Sequence, residues 1–243
     1  MPPKQVIVIT GASRGLGRAL ALRLGEPQTA VLVNYLKRKE EAEKVVCELS
    51  AQGAEAESYA ADVRSAPEVK MMMKAVQSRW GRLDLLIHNA GIRRDALVIK
   101  MSEEAWNEVM DTHLTGAFHC LSSAAGPMKA QGGGHMILIS SIGGLQGRTG
   151  QANYAAAKAG LIGLTQAAAR EWGPFNIRVN AVLPGFLPTE MTRSLASETR
   201  QALIEQNVLG RPSSMEEVTG FIHWLTTTQN ISGQVFNLDN RIP

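Results

Sequence analysis

Cysteine is nearly absent: Cys47 and Cys120 are the two in 243 residues, and no CxxC spacing joins them. That excludes a disulfide framework and a thiolate metal site, and it suits a reducing compartment. The five histidines, at 88, 113, 119, 135 and 223, form no HxxxH or HExxH pattern, so no metal is expected. No apolar stretch approaches the ~20 residues of a membrane span. The four-residue run Val6-Ile7-Val8-Ile9 is too short for the core of a secretion signal. A dominant charge sign is also missing, since 25 Lys and Arg are interleaved with 22 Asp and Glu for a net +3. Nucleic acid is not indicated as a partner, and the expectation is a soluble cytoplasmic protein with no membrane attachment. With no internal repeat and no low-complexity linker, residues 1–243 read as a single domain.

What the chain does have is alternation. The β-branched or apolar runs QVIVIT, AVLVNY, EAESYA, LDLLIH, HMILIS, IRVNAV and GQVFNL are separated by helical patterns. Gly132-Gly133-Gly134 reads as the turn into the fifth strand. Regular βαβ alternation with nearly continuous apolar strands predicts an α/β doubly wound parallel sheet, Rossmann-like, of about seven strands with helices on both faces. Ligands of such sheets bind outside the carboxyl ends of the strands, so residues just after each strand are the ones to inspect.

After the first strand comes GASRGLG, with Gly11, Gly15 and Gly17 opening an amphipathic helix. Glycine lets backbone amides approach a pyrophosphate, and the helix N-terminus adds partial positive charge. Gly11, Ala12, Ser13, Arg14, Gly15, Leu16 and Gly17 are therefore candidate dinucleotide contacts. A rival reading takes Gly11 to Gly15 as a GxSxG nucleophile elbow, with Ser13 attacking and His223 as its base. Only ten residues precede that motif, which leaves no earlier strand to supply an oxyanion loop. The second strand ends at Asn34-Tyr35 with no carboxylate before Glu40, whereas Arg14, Lys37 and Arg38 lie in reach of a 2′-phosphate. That favours NADP(H) over NAD(H). The run Lys37-Arg38-Lys39, followed by Glu40, Glu41 and Glu43, also fits a solvated helix start.

Tyrosine is scarce, three in all, and one of them stands in QANYAAAKAG. Tyr154 and Lys158 are four residues apart, on one face of a small-residue helix. A fixed cation beside a phenol lowers a pKa of about 10, which would make a proton donor usable near neutrality.

Taken together, TGASRGLG, AADV at 60–63, NAG at 89–91, Ser141 and YAAAK at 154–158 resemble the classical short-chain dehydrogenase/reductase family over nearly the whole chain. More narrowly, NAGIRRDAL, QANYAAAKAGLIGLT, RVNAVLPGF and PTEM are similar to its 3-oxoacyl-(acyl carrier protein) reductases. The resemblance implies that Tyr154 protonates the carbonyl oxygen, Lys158 lowers the phenol's pKa and holds the nicotinamide ribose, and Ser141 orients the carbonyl. It places Asp62 and Val63 at the adenine, adds Asn89, Ala90 and Gly91 after strand four, and puts Pro184, Gly185, Leu187 and Thr189 in the loop that holds the carboxamide. It further implies NADPH-dependent reduction of a 3-oxoacyl thioester in fatty-acid-like or polyketide-like biosynthesis, an acyl carrier protein or CoA as thiol, and a homotetramer using the helices at 103–125 and 153–173.

The sequence departs from the family at three places. His113 stands where the catalytic tetrad has asparagine; its carbonyl preserves the relay role, and its ring is expected to change charge near pH 6.5. Gly132 and Phe175 occupy the approximate places of the carrier-facing basic residues. The tail NLDNRIP has Asn240 and Arg241 for a glycine pair, which predicts a differently shaped loop. Other outcomes stay open: a dehydrogenase of another alcohol, sugar or cyclic ketone, or a non-catalytic dinucleotide-binding subunit of a hetero-oligomer.

Overall fold

Val6 and Val8 pack on one face of the first strand, and Ile7 and Ile9 on the other. Side chains alternate along a strand, so an unbroken apolar run requires cover on both faces. The computed structural model, which describes residues 3–189 and 197–242, meets that requirement. The strands are Gln5–Ile9 (β1), Thr29–Tyr35 (β2), Glu55–Ala60 (β3), Leu85–His88 (β4), Gly134–Ile139 (β5), Ile177–Leu183 (β6) and Val235–Asn237 (β7). All seven pair in parallel in the order β3-β2-β1-β4-β5-β6-β7. Each expected strand is present, with its ends within two residues of the sequence reading.

The helices are Gly15–Leu24 (α1), Lys39–Ala51 (α2), Ala66–Trp80 (α3), Glu103–Met110 (α4), Gly116–Ala130 (α5), Gly143–Gln146 (α6), Ala152–Trp172 (α7), Ser197–Glu205 (α8) and Met215–Thr227 (α9). Leu20, Leu49 and Ile222 bring α1, α2 and α9 onto the Ile7 face. Met72, Leu121 and Leu161 bring α3, α5 and α7 onto the Val8 face. Each such fully buried side chain contributes about 1.5–3 kcal/mol. The chain winds outward from β1 to β3, then returns to place β4 against β1. Loops leaving β1 and β4 diverge there and open a crevice at the carboxyl edge.

Two local features shape that edge. Ser65, Ser102 and Ser214 each accept a hydrogen bond from an amide in the first turn of α3, α4 and α9. By contrast, α1 has no side-chain cap and no acid in its first turn. Its terminal amides remain available to an anion from outside. The second feature departs from the sequence reading, which predicts an unbroken helix over 103–125. Between α4 and α5 the chain widens into a π-helical turn at Asp111–Thr115, where the Gly116 amide bonds to the Asp111 carbonyl. The Glu108 carbonyl accepts both from the Asp111 amide and from the Thr112 hydroxyl, the latter at 2.7 Å, where the turn begins.

The tail after β7 closes as two successive turns. Asn237 Oδ1 accepts from the Asp239 amide, and Asp239 Oδ1 accepts from the Arg241 amide, each at 3.0 Å. Among the described residues, only Gln28 and Asn176 outside glycine take positive φ. Asn240 and Arg241 thus sit without the strain that a glycine-type bend would impose. Glu190 and Met191, the end of the PTEM segment, lie outside the described residues.

Candidate active site

At the end of β1, Thr10 Oγ1 accepts from the Asn89 and Ala90 amides at 3.0 Å each, tying the glycine turn to the loop after β4. Asn89 Nδ2 donates to the carbonyls of Thr10 and Gly11, at 3.2 and 3.1 Å. Asn34 completes the brace: its Oδ1 faces the Gly11 amide at 3.3 Å, and its Nδ2 donates to the Ala61 carbonyl at 3.0 Å. Asn34 and Asn89 therefore spend their amides on shaping the turn, although both border the cleft. Ala12 and Gly17, expected as cofactor contacts, do not line it. Ala12 is wholly buried in the core, and a Cβ on Gly17 would lie 2.4 Å from the Gly11 carbonyl oxygen. These two residues let the turn and α1 close on each other.

The cleft has a volume of about 490 Å³ and runs along the carboxyl edge of the sheet. Gly11, Ser13, Arg14, Gly15 and Leu16 line it, as do Lys37, Asp62, Val63, Ala90 and Gly91. So do His113, Ser141, Tyr154 and Lys158, together with Pro184, Gly185, Leu187 and Thr189. His223, the base required by the rival nucleophile reading, is elsewhere, on α9 beside Glu26 at 3.6 Å. The cleft also contains Arg64, Arg94, Glu108 and Thr112, which the sequence reading missed. Arg64 chelates Asp62 through several hydrogen bonds, and this holds the carboxyl below its ordinary pKa. Arg94 pairs with Glu108 at 2.7 Å. The sequence signal for Arg64 and Arg94 was a position shortly after a strand; Glu108 and Thr112, on α4 and the π-helical turn, had none.

Tyr154 stands in the first turn of α7, where Asn153 Oδ1 accepts from its amide and Asn153 Nδ2 donates to the Arg94 and Ala105 carbonyls. Ser141 follows β5 by two residues, and its Oγ accepts from the Gly143 amide at 3.2 Å. The Lys158 Nζ donates to the carbonyl of Ile139 at 2.6 Å and lies 5.5 Å from the Tyr154 ring centroid. Burial brings the pKa of Lys158 down to about 7, so near neutrality it is only partly charged. Burial also raises the Tyr154 pKa, against the pull of the Ser141 hydroxyl and of Arg93. This corrects the expectation that Lys158 holds the phenol below its ordinary value: burial outweighs the groups that lower it, and the phenol keeps its proton more firmly than free tyrosine.

His113 lies in the π-helical turn, 2% exposed, with its ring edge-on to Tyr154 at 5.3 Å between centroids. Its Nε2 is 3.1 Å from the Ile92 amide nitrogen and 2.8 Å from the Ile92 carbonyl oxygen. One tautomer accepts from the first and the other donates to the second. Nδ1 is buried without a partner among the described residues. Burial first, and then Lys158, hold the His113 pKa well below 6.5. The charge change expected near pH 6.5 is thereby overturned: the imidazole stays neutral because burial disfavours an imidazolium and Lys158 repels it.

Residues 5–200 match the family model described as short chain dehydrogenase. The chain is 43% identical over 234 residues to the 3-oxoacyl-(acyl-carrier-protein) reductase FabG of Staphylococcus aureus, covering 96% of this chain and 95% of that protein. It is also 43% identical over 238 residues to the 3-oxoacyl-(acyl-carrier-protein) reductase of Synechocystis, covering 97% and 95%. Among solved structures, an actinorhodin polyketide ketoreductase variant with NADPH superposes with a TM-score of 0.91 at 30% identity, covering 97% of this chain and 96% of that one. A glycine turn before an uncapped helix, a cleft at the strand-order reversal and these full-length matches lead to one conclusion: the chain belongs to the short-chain dehydrogenase family.

Proposed function

We propose that this protein reduces the 3-oxo group of an acyl thioester to the 3-hydroxyacyl thioester with NADPH, within one dinucleotide-binding and catalytic domain. The observation that carries the reading is the single cleft shared by Ser141, Tyr154, Lys158 and the glycine turn. The residues present fit the cofactor. The uncapped start of α1 and the close-packed turn suit a pyrophosphate, and Lys37 at the mouth of β2 suits a 2′-phosphate. Asp62 and Val63 would border the adenine, and Pro184 to Thr189 the carboxamide. When bound, the cofactor supplies the hydride.

The chain's own residues supply the proton and the positioning. A carbonyl accepting hydride becomes an alkoxide, a far stronger base than a phenolate, so a phenol that retains its proton at neutral pH is the competent acid. Ser141 orients the carbonyl by hydrogen bonding, and Lys158 orders the region between Tyr154 and the ribose. His113 acts by position, as a neutral ring that fixes the Ile92 main chain beside Tyr154. The names of the bacterial relatives support a 3-oxoacyl thioester as substrate. Lys129, whose Nζ lies 3.7 Å from the Phe175 ring centroid, supports an acidic carrier protein as the partner delivering it. Exposed Trp106 and Phe118 support assembly with further copies of the chain through α4 and α5.

The test is acetoacetyl-CoA-dependent oxidation of NADPH, followed by absorbance. Tyr154→Phe is expected to lower kcat by roughly 10²- to 10⁴-fold while NADPH binding, measured by fluorescence titration, persists. Undiminished turnover in Tyr154→Phe, or no turnover in the parent, overturns the reading.

A further inference from the structure

Three segments meet beside Tyr154: 92–96 after β4, 146–151 before α7, and 239–242 after β7. The Ala96 amide donates to the Gly150 carbonyl at 2.9 Å, and Gln151 Nε2 donates to Asp95 Oδ2 at 3.1 Å. Gln146 Nε2 donates to the Ile242 carbonyl at 2.7 Å, which fastens the tail to the loop before α7. Asn153, adjacent to Tyr154, holds the Arg94 carbonyl at 3.0 Å. The segments bring Arg93, Arg148 and Arg241 to this junction, while Arg94, the other arginine of 92–96, pairs with Glu108.

Arg93 pairs with Asp95, and Arg241 pairs with Asp239. Their side chains are only 22% and 14% exposed. The Arg148 side chain has no ion pair and no hydrogen bond among the described residues, and it lies in an exposed stretch open to a ligand. Although Arg148 is exposed, the protein around it takes away part of its hydration; that loss, and then repulsion from Arg241 and Arg93, pull it below its ordinary pKa against the attraction of Asp95. Arg93, Asp95 and Arg241 all act on the Tyr154 phenol, the arginines lowering its pKa and Asp95 raising it, so the group extends to the reacting end of the cleft. Among the described residues, three guanidinium groups here share two carboxylates, Asp95 and Asp239, and one positive charge is left over. None of the three lines the cleft that holds the glycine turn.

We propose that Arg148, flanked by Arg93 and Arg241, is a subsite for an oxyanion carried by the thioester substrate. The anion is a phosphate on the thiol arm or a carboxylate on the acyl chain; either suits the forked donors of a guanidinium. The inference rests on the reading of the protein as a thioester reductase, and it makes this junction a determinant of which thioester is chosen. The preassembled cations lose repulsion when an anion enters, and only an anion attached to the substrate would do so at each turnover.

The experiment compares kcat/KM with NADPH for a neutral 3-oxoacyl pantetheine thioester, its 4′-phosphopantetheine counterpart, and a pantetheine thioester whose acyl chain ends in a carboxylate. The parent protein should favour one charged substrate over the neutral one by about tenfold or more. That preference should shrink with added salt. Arg148→Ala should abolish it and Arg148→Glu should reverse it; the charged substrate that shows the effect identifies the source of the anion. Equal use of all three by the parent, or a preference surviving both substitutions, overturns the subsite. If no thioester is turned over, the thioester-reductase reading falls by itself. The subsite is then judged by calorimetric binding of the two charged thioesters, which Arg148→Ala should weaken about tenfold and which, if unchanged, refutes it.

Discussion

A methyl group at position 91 would lie 2.2 Å from Cε1 of His113, so the glycine and the histidine are fitted to each other. The imidazole occupies space that any side chain at 91 would need, and its Nε2 grips the next residue, Ile92, through the main chain. Gly91→Ala is accordingly expected to destabilise the protein by about 1–3 kcal/mol through overpacking, and His113→Ala in the same chain to recover most of that loss. Urea denaturation of the four members of the double-mutant cycle measures this. A coupling energy below about 0.5 kcal/mol would mean that the two positions do not share the space. Nothing in NAG or in THLTG, read as separate motifs, announces this contact.

At the level of elements, the mouth of β2 decides between two cofactors. Arg38, in the loop after β2, pairs with Glu41 at 3.1 Å, and Arg64, after β3, is held by Asp62. Lys37 borders the cleft and makes no ion pair among the described residues. Lys37→Glu should therefore lower the ratio of kcat/KM for NADPH to that for NADH by about tenfold, a charge-assisted contact being replaced by repulsion. An unchanged ratio would move the 2′-phosphate contact to another cation of this mouth. The Glu40-Glu41-Glu43 run has the solvated role expected of it, since Arg38–Glu41 and Lys39–Glu43 are exposed pairs at the start of α2. Exposed pairs of this kind contribute little to stability.

Across the whole molecule, three buried histidines make acid a denaturant. Burial lowers His88 and His135 to about 3, and places His113 well below its ordinary value. The unfolded chain binds these protons near pH 6.5, whereas the folded one refuses them until far lower. Between those limits the unfolded state holds more protons, so the part of the stability that depends on these histidines is complete above about pH 6.5 and is lost as the pH falls toward 3. Each histidine steepens that loss by up to about 1.4 kcal/mol per pH unit. His135 is the useful probe: its Nε2 meets Asn180 Nδ2 at 3.0 Å on β6, and it does not line the cleft. Denaturation free energies measured from pH 4 to 7 should show a slope smaller by about one proton in His135→Gln. The same slope in both proteins would refute the burial argument.

The strands, the glycine turn and the shared face of Tyr154 and Lys158 were legible in the sequence because each is local. Side-chain alternation, helical spacing and the backbone freedom of glycine act over a few residues. The direction of Lys158 toward the Ile139 carbonyl, the neutrality of His113 and the raised phenol of Tyr154 were not legible, because each depends on how much water and charge surround the group. Segments far apart in the chain set those surroundings, as do the loops that assemble Arg93, Arg148 and Arg241. The sequence by itself determined the framework and where its reactive groups stand. Only the tertiary structure decided which of them are charged, because the free energy of an ion depends on everything packed around it.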